Sequence, residues 1–109
     1  MIKRIAIFGS TGSIGRQALE VIEAHSDKFS AAILTAHTNA ELLIEQALKF
    51  KPNIVVIGDE RKYKMVKEAL VKTDVKVFAG EQSINEVASI DCYDLMLAAI
   101  GEALEPATA

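Results

Sequence analysis

Three glycines spaced three residues apart follow the first apolar run of the chain, and no other sequence feature constrains the fold as strongly. Gly9, Gly12 and Gly15 come directly after residues 5–8, a run whose length and apolar character are typical of a strand. The next segment has apolar residues in helical spacing at Ile14, Ala18, Val21 and Ile22. A strand that passes into a helix through a glycine-rich turn is typical of dinucleotide-binding β-α units.

Apolar runs of strand length recur along the rest of the chain, with helical spacing between them. Most are continuous rather than alternating, which is typical of strands covered on both faces. We therefore predict an α/β fold, a doubly wound (Rossmann-type) parallel sheet of about five strands. The expected strand order is 3-2-1-4-5, with the switch point at the carboxyl ends of strands one and four. The five runs are residues 5–8, 31–36, 54–57, 75–79 and 95–100.

Residues that favour helix ends lie between the predicted elements. Asn39, Asp59 and Ser83 are expected to cap the second, third and fourth helices, because their side-chain oxygens accept hydrogen bonds from free backbone N–H groups. Pro52 is expected to end the second helix, since it disfavours helical geometry at Lys51.

Composition bounds the classes of function. The chain has 109 residues, which predicts one domain over residues 1–109. A net charge of -3 gives no support for nucleic-acid binding, and no apolar stretch approaches the roughly 20 residues of a membrane span. Cys92 is the single cysteine, so no internal disulfide can form. We expect a cytoplasmic protein that binds neither nucleic acid nor membrane.

The glycine turn has the chemistry of an anion cradle. Each of its glycines is expected to require a missing side chain, for the tight turn, for phosphate approach or for helix packing. The hydroxyls of Ser10, Thr11 and Ser13 add donors, and the free N–H groups near Ser13 and Ile14 open the first helix. The alternative is a turn that merely lets the helix fold back on its strand.

The residues after the second strand bear on which dinucleotide binds. An acid at this point grips the ribose 2′-OH of NAD, whereas a basic residue accommodates the 2′-phosphate of NADP. This chain has Ala36, His37, Thr38 and Asn39 there, with no acid. The pattern favours NADP, with His37, Thr38, Asn39 and the start of the second helix meeting the extra phosphate.

Longer motifs carry a resemblance to a known family. "GSTGSIG" stands near the N-terminus, followed by "ALEVI", "LTA", "EQALKFKP" and "VVI". In these motifs the chain resembles the NADPH-binding domain of 1-deoxy-D-xylulose 5-phosphate reductoisomerases. That family rearranges and reduces deoxyxylulose phosphate to methylerythritol 4-phosphate in isoprenoid biosynthesis, with NADPH and Mg²⁺ or Mn²⁺.

The resemblance implies particular site residues. Thr11, Gly12, Ser13 and Ile14 would contact the pyrophosphate, and Asn39 would lie beside the adenosine ribose phosphate. Ala99 and Ile100 would face the nicotinamide. The chain has His37 and Thr38 where the family commonly carries glycine or asparagine and then a basic or amide residue.

The resemblance also bears on what this chain would lack. The family's metal ligands and substrate binders follow later than residue 109, so we expect a fragment without catalytic or metal-ligating residues and without turnover. An apolar edge exposed after Ile100 is expected to favour a homodimer. The alternative function is a nonredox nucleotide- or coenzyme A-binding module, because such modules also use glycine loops on this fold.

Overall fold

The computed structural model describes residues 2–90 and 93–98, which form a five-stranded parallel sheet with helices on both faces. The predicted α/β Rossmann-type class is therefore confirmed. The elements alternate along the chain as β1 Lys3–Phe8, α1 Ser13–Ala24, β2 Phe29–Ala36, α2 Ala40–Phe50, β3 Ile54–Ile57, a 3₁₀ turn Glu60–Lys62, α3 Tyr63–Ala69, β4 Lys76–Ala79, α4 Glu81–Val87 and β5 Leu95–Ala98.

The strand order is β4-β3-β2-β1-β5, so the predicted order 3-2-1-4-5 is wrong. The connection through α3 continues in the direction of the first two and places β4 beyond β3. Only the connection through α4 returns past β1, which puts the switch point between β1 and β5. The right-handed crossover rule fixes the hand of each connection but not the direction in which the sheet grows, and the apolar runs carry no signal for that direction.

Two apolar clusters hold the layers together. On one face, side chains of α1, α2 and α3 such as Leu19, Leu43 and Val66 pack on β1 to β4. On the other face, Ile84 and Val87 of α4 pack on β1, β2 and β3. Three helices therefore cover one face and a single short helix covers part of the other.

β5 departs from the prediction that the strands are covered on both faces. Leu95, Met96 and Leu97 are exposed, whereas all four residues of β3 are buried. Within residues 2–90 and 93–98, β5 has a strand neighbour only on the β1 side, with Ile5 opposite Leu95 and Phe8 opposite Ala98. An apolar run alone does not distinguish a central strand from an edge strand.

The helix ends were predicted with mixed success. Asn39 caps α2 by accepting a hydrogen bond from the Leu42 N–H at 3.2 Å, and Asp59 caps the 3₁₀ turn that precedes α3. Ser83 does not cap α4, which begins at Glu81 after Gly80; its hydroxyl instead donates to the Ala79 carbonyl at 2.7 Å. α2 ends at Phe50, with Lys51 in the left-handed region just before Pro52, as expected.

The apolar stripe of α1 is narrower than predicted. Leu19 and Ile22 are buried, but Ile14 and Val21 are exposed. Among the residues that the structure describes, no helix has the length and apolarity needed to cross a bilayer.

Candidate functional site

The turn between β1 and α1 lies at the carboxyl edge of the sheet, next to the end of β2. Gly9 has φ +95°, a conformation that favours glycine. Its N–H donates to the Thr35 hydroxyl at 3.0 Å, and the Ser10 N–H donates to the Thr35 carbonyl at 2.8 Å. These bonds fix the start of the turn against β2.

A buried polar network supports the turn from below. The Ser10 hydroxyl donates to Gln46 Oε1 at 2.7 Å, and Gln46 Nε2 donates back to the Ser10 carbonyl at 2.8 Å. Ser10, Thr35 and Gln46 are all buried. The expectation that the Ser10 hydroxyl faces a ligand is therefore wrong, because that hydroxyl points into the protein toward α2. No pattern in the sequence indicates this role for Gln46, whose partner lies 36 residues away along the chain.

The glycines of the turn differ in what they do for the fold. A Cβ at Gly15 would lie 2.2 Å from the Gly9 carbonyl oxygen and 2.7 Å from Ser10 Cα, so α1 could not pack on the turn. A Cβ at Gly12 would meet only that same oxygen, at an ordinary 3.5 Å. Gly12 has φ −78° and ψ 174°, which any residue adopts. The protein's own packing therefore does not require a missing side chain at Gly12, and the expectation for this glycine, which concerned the approach of a phosphate, stays a prediction.

The first turn of α1 presents its backbone at the surface. Gly12 is the N-cap residue, and in the part of the chain that the structure describes no side chain accepts a hydrogen bond from the first N–H groups of α1. The first turn contains no acidic residue, and Gly12, Ser13 and Ile14 are exposed, with Thr11 half-buried beside them. Free N–H groups and the positive end of the helix dipole make this surface suited to an anion.

The loop that follows β2 lies beside this turn, because β1 and β2 are paired up to Phe8 and Thr35. Ala36 is buried, whereas His37, Thr38 and Asn39 are exposed. The Asn39 side-chain oxygen is engaged as the α2 cap. The structure therefore brings together the two groups of site residues that were predicted from the sequence within the described chain.

Residues from the ends of β3 and β4 reach this loop, and sequence reasoning missed them. His37 Nδ1 lies 2.9 Å from Glu81 Oε2 at the start of α4, and Lys62 Nζ donates to the Thr38 carbonyl at 2.8 Å. The absent side chain of Gly58 leaves space for the contact between His37 and Glu81, since a Cβ at Gly58 would lie 2.7 Å from Glu81 Oε2. The acid Glu81 and the base Lys62 thus lie beside a loop that contains no carboxylate of its own. Both are far from the loop along the chain, so the sequence pattern around the loop does not include them.

Asp59 and Arg61 form an ion pair at the 3₁₀ turn after β3. Asp59 accepts from Arg61 Nε at 3.0 Å and from its second guanidinium nitrogen at 3.1 Å. These side-chain bonds, with one from the Arg61 backbone N–H, hold the pKa of the Asp59 carboxyl below its ordinary value. Asp59 therefore keeps its charge and holds the Arg61 guanidinium.

Two predicted site residues, Ala99 and Ile100, lie outside the described residues. Within residues 2–90 and 93–98, no group of three or more His, Cys, Asp or Glu side chains could hold a metal ion. This part of the chain does not fit a divalent metal site.

Comparisons with known proteins agree with this geometry. A family model described as 1-deoxy-D-xylulose 5-phosphate reductoisomerase matches residues 5–108. The chain belongs to this family. The resemblance noted in the sequence is thereby confirmed.

Individual members of the reductoisomerase family cover most of the chain. The 1-deoxy-D-xylulose 5-phosphate reductoisomerase of Phocaeicola vulgatus is 49% identical over 92% of this chain and 26% of its own length. The solved structure of the Zymomonas mobilis enzyme in complex with NADPH has a TM-score of 0.80 and 32% identity, over 84% of this chain and 24% of that one. A reductoisomerase in complex with NADPH, fosmidomycin and magnesium has a TM-score of 0.81 and 25% identity, over 87% and 24%.

The reductoisomerase relatives are longer than the chain. It spans about a quarter of the length of the curated relatives that it matches.

Proposed function

We propose that residues 1–109 are the NADPH-binding domain of a reductoisomerase that converts 1-deoxy-D-xylulose 5-phosphate to 2-C-methyl-D-erythritol 4-phosphate. Family membership and the NADPH complex of a similar protein support this proposal. The catalytic and metal-binding residues belong to other parts of the enzyme, so the chain by itself has no turnover.

The observation that carries the proposal is the bare backbone at Gly12. The protein's own packing leaves room for a side chain there, yet the position is exposed and lies at the uncapped start of α1. A side chain would cover the N–H groups that a pyrophosphate needs. The absent Cβ at Gly12 therefore fits a bound diphosphate better than it fits a requirement of the fold.

Two loops of the chain bind different parts of the cofactor. The turn of Gly9 and residues 11–14 holds the pyrophosphate through backbone N–H groups and the hydroxyls of Thr11 and Ser13. Residues 36–39 hold the adenosine ribose and its 2′-phosphate. The family resemblance alone assigns Ala99 and Ile100 to the nicotinamide. NADPH supplies a hydride when bound, and the role of this domain is to fix where that hydride is presented.

The family resemblance places the ligands of the Mg²⁺ or Mn²⁺ ion elsewhere in the enzyme. Deoxyxylulose phosphate likewise contacts parts of the enzyme other than this domain. The single cysteine in the sequence supports a cytoplasmic location.

We also propose that the chain forms a homodimer. Leu95, Met96 and Leu97 on β5 are exposed, and β5 lies at the end of the strand order. Exposed apolar strands at a sheet edge favour pairing with a second chain. Sedimentation velocity over a range of concentrations tests this, and a monomer at the highest concentration would contradict it.

Calorimetric titration of the chain with NADPH, NADH and coenzyme A tests the cofactor proposal. We expect submicromolar or low-micromolar binding of NADPH and weaker binding of NADH. A preference for coenzyme A would favour the nonredox module instead, and no binding of any of the three would contradict a nucleotide-binding role.

A further inference from the structure

We propose that Lys62 is the cation that binds the 2′-phosphate of NADPH and thereby selects NADPH over NADH. This inference rests on the proposed function. It assigns to the 3₁₀ turn after β3 a task that the sequence pattern places in the loop after β2.

The loop itself offers little net positive charge for a phosphate. His37 is its single basic residue, and its Nδ1 lies 2.9 Å from the Glu81 carboxylate. Any positive charge on the imidazole is therefore offset by a neighbouring negative charge. Thr38 and Asn39 contribute neutral groups, and the Asn39 oxygen already caps α2.

The cations near the loop differ in their partners. The Arg61 guanidinium is held in two hydrogen bonds by the Asp59 carboxylate, so its charge is largely compensated. Lys62 Nζ instead donates to a neutral acceptor, the Thr38 carbonyl, at 2.8 Å. None of the ion pairs found within residues 2–90 and 93–98 includes Lys62. Its ammonium group therefore brings to the loop a positive charge that is held in no direct ion pair, although the Asp59 carboxylate lies close enough for Lys62 to help lower the pKa of that carboxyl.

The local backbone holds Lys62 in this position. The Gly58 N–H donates to the Ala36 carbonyl at 2.7 Å and the Asp59 N–H donates to the His37 carbonyl at 2.8 Å, which join the end of β3 to the loop. The Lys62 N–H donates to the Asp59 carbonyl at 2.9 Å and closes the 3₁₀ turn. Lys62 is half-buried as a residue, and its ammonium group lies at the Thr38 carbonyl.

The chemistry of the ammonium group suits a phosphate. A lysine ammonium carries three donors, and the bond to Thr38 uses one of them. The remaining donors and the charge are complementary to a 2′-phosphate, whereas the 2′-OH of NADH offers no charge to match. Loss of Lys62 should thus act on one dinucleotide and not on the other.

The test compares three variants of the chain by calorimetric titration with NADPH and with NADH. Lys62→Met should weaken NADPH binding roughly tenfold while changing NADH binding less than about twofold, because a charge-assisted hydrogen bond is lost from one ligand alone. Lys62→Arg, which keeps the charge, should retain most of the NADPH preference. Lys76→Met is the control. It removes the same charge from the first residue of β4, at the amino-terminal end of the strand and away from the site at the carboxyl ends, and it should leave both affinities unchanged.

The outcomes separate the inference from the proposed function. Equal weakening of both dinucleotides by Lys62→Met would show a purely structural role for the Thr38 contact and would overturn the inference alone, as would an unchanged NADPH affinity. A wild-type chain that binds neither dinucleotide would overturn the proposed function and this inference with it. Thermal melting of each variant shows whether it folds.

Discussion

The two loops that form the candidate site are built in opposite ways. The turn after β1 is fixed from within, by the buried network of Ser10, Thr35 and Gln46, and it presents bare backbone to solvent. The loop after β2 presents exposed side chains, and residues from the ends of β3 and β4 hold it from the side. The turn after β1 therefore offers backbone N–H donors in fixed positions. The loop after β2 offers exposed side chains, whose charge a substitution can alter.

This difference predicts how the loops tolerate substitution. A change beneath the turn after β1 disturbs buried groups, so it should cost stability and binding together. A change in the loop after β2 affects solvated groups, so it should alter ligand preference with little effect on folding. We therefore expect the turn after β1 to fix where the cofactor binds, and the loop after β2 to determine which dinucleotide binds.

The largest effect is expected at Gly15. Gly15→Ala places a Cβ 2.2 Å from the Gly9 carbonyl oxygen, and backbone atoms must move to relieve the clash. We expect a loss of about 3 kcal/mol in the free energy of unfolding, the upper range for overpacking. Chemical denaturation measures it. A variant as stable as the wild type would show that α1 is not packed on the turn as described.

Gln46 tests the support beneath the same turn. Gln46→Leu leaves the buried Ser10 carbonyl without its 2.8 Å hydrogen bond from Nε2, which should cost about 1–3 kcal/mol of stability. Ser10→Ala removes the other side of the network. Because the two side chains share a hydrogen bond, the double variant should lose less stability than the sum of the single losses. Additive losses would contradict the network.

The loop after β2 should respond weakly in the same measurement. The side chains of His37 and Glu81 are 56% and 65% exposed, so their contact is solvated. His37→Ala should change the free energy of unfolding by at most about 0.5 kcal/mol. A loss as large as that of Gln46→Leu would remove the contrast between the two loops.

The smallest effect on stability is expected on acidification, at the Asp59 carboxylate. Hydrogen bonds from Arg61 lower the pKa of Asp59 in the folded chain, so this carboxylate stabilises the fold above its unfolded pKa of 3.8. That stabilisation is lost as the pH falls through the folded pKa. The stability difference between the wild type and Asp59→Asn should therefore shrink on acidification below pH 3.8. A difference that grows there would contradict the Arg61 pairing.

Local patterns in the sequence predicted much of the fold and part of the site. Strand-length runs, the glycine spacing and the Asn39 cap are properties of neighbouring residues, and each predicted its element correctly. The direction of the connection through α3 and the exposure of β5 depend on how elements assemble, so the apolar runs could not reveal them.

The missed site residues have the same cause. Lys62 and Glu81 lie 24 and 44 residues after Thr38 and His37, and the parallel sheet brings them together by aligning the strand ends. Gln46 lies 36 residues after its hydrogen-bond partner Ser10. Contacts between strand ends are long-range, and a single sequence carries no signal for them.

Gly12 lacks a side chain for the sake of a ligand on this reading of the turn after β1, and the Gly12→Ala variant puts that role to the test. The new Cβ would meet the Gly9 carbonyl oxygen at 3.5 Å and the backbone suits any residue, so stability should change by less than about 1 kcal/mol, because the lower entropy of the unfolded alanine chain opposes the poorer N-cap preference of alanine. NADPH binding, measured by titration of the same preparation, should weaken at least about tenfold, because the methyl group covers the N–H groups of α1. A Gly12→Ala chain that binds NADPH as tightly as the wild type would contradict the account.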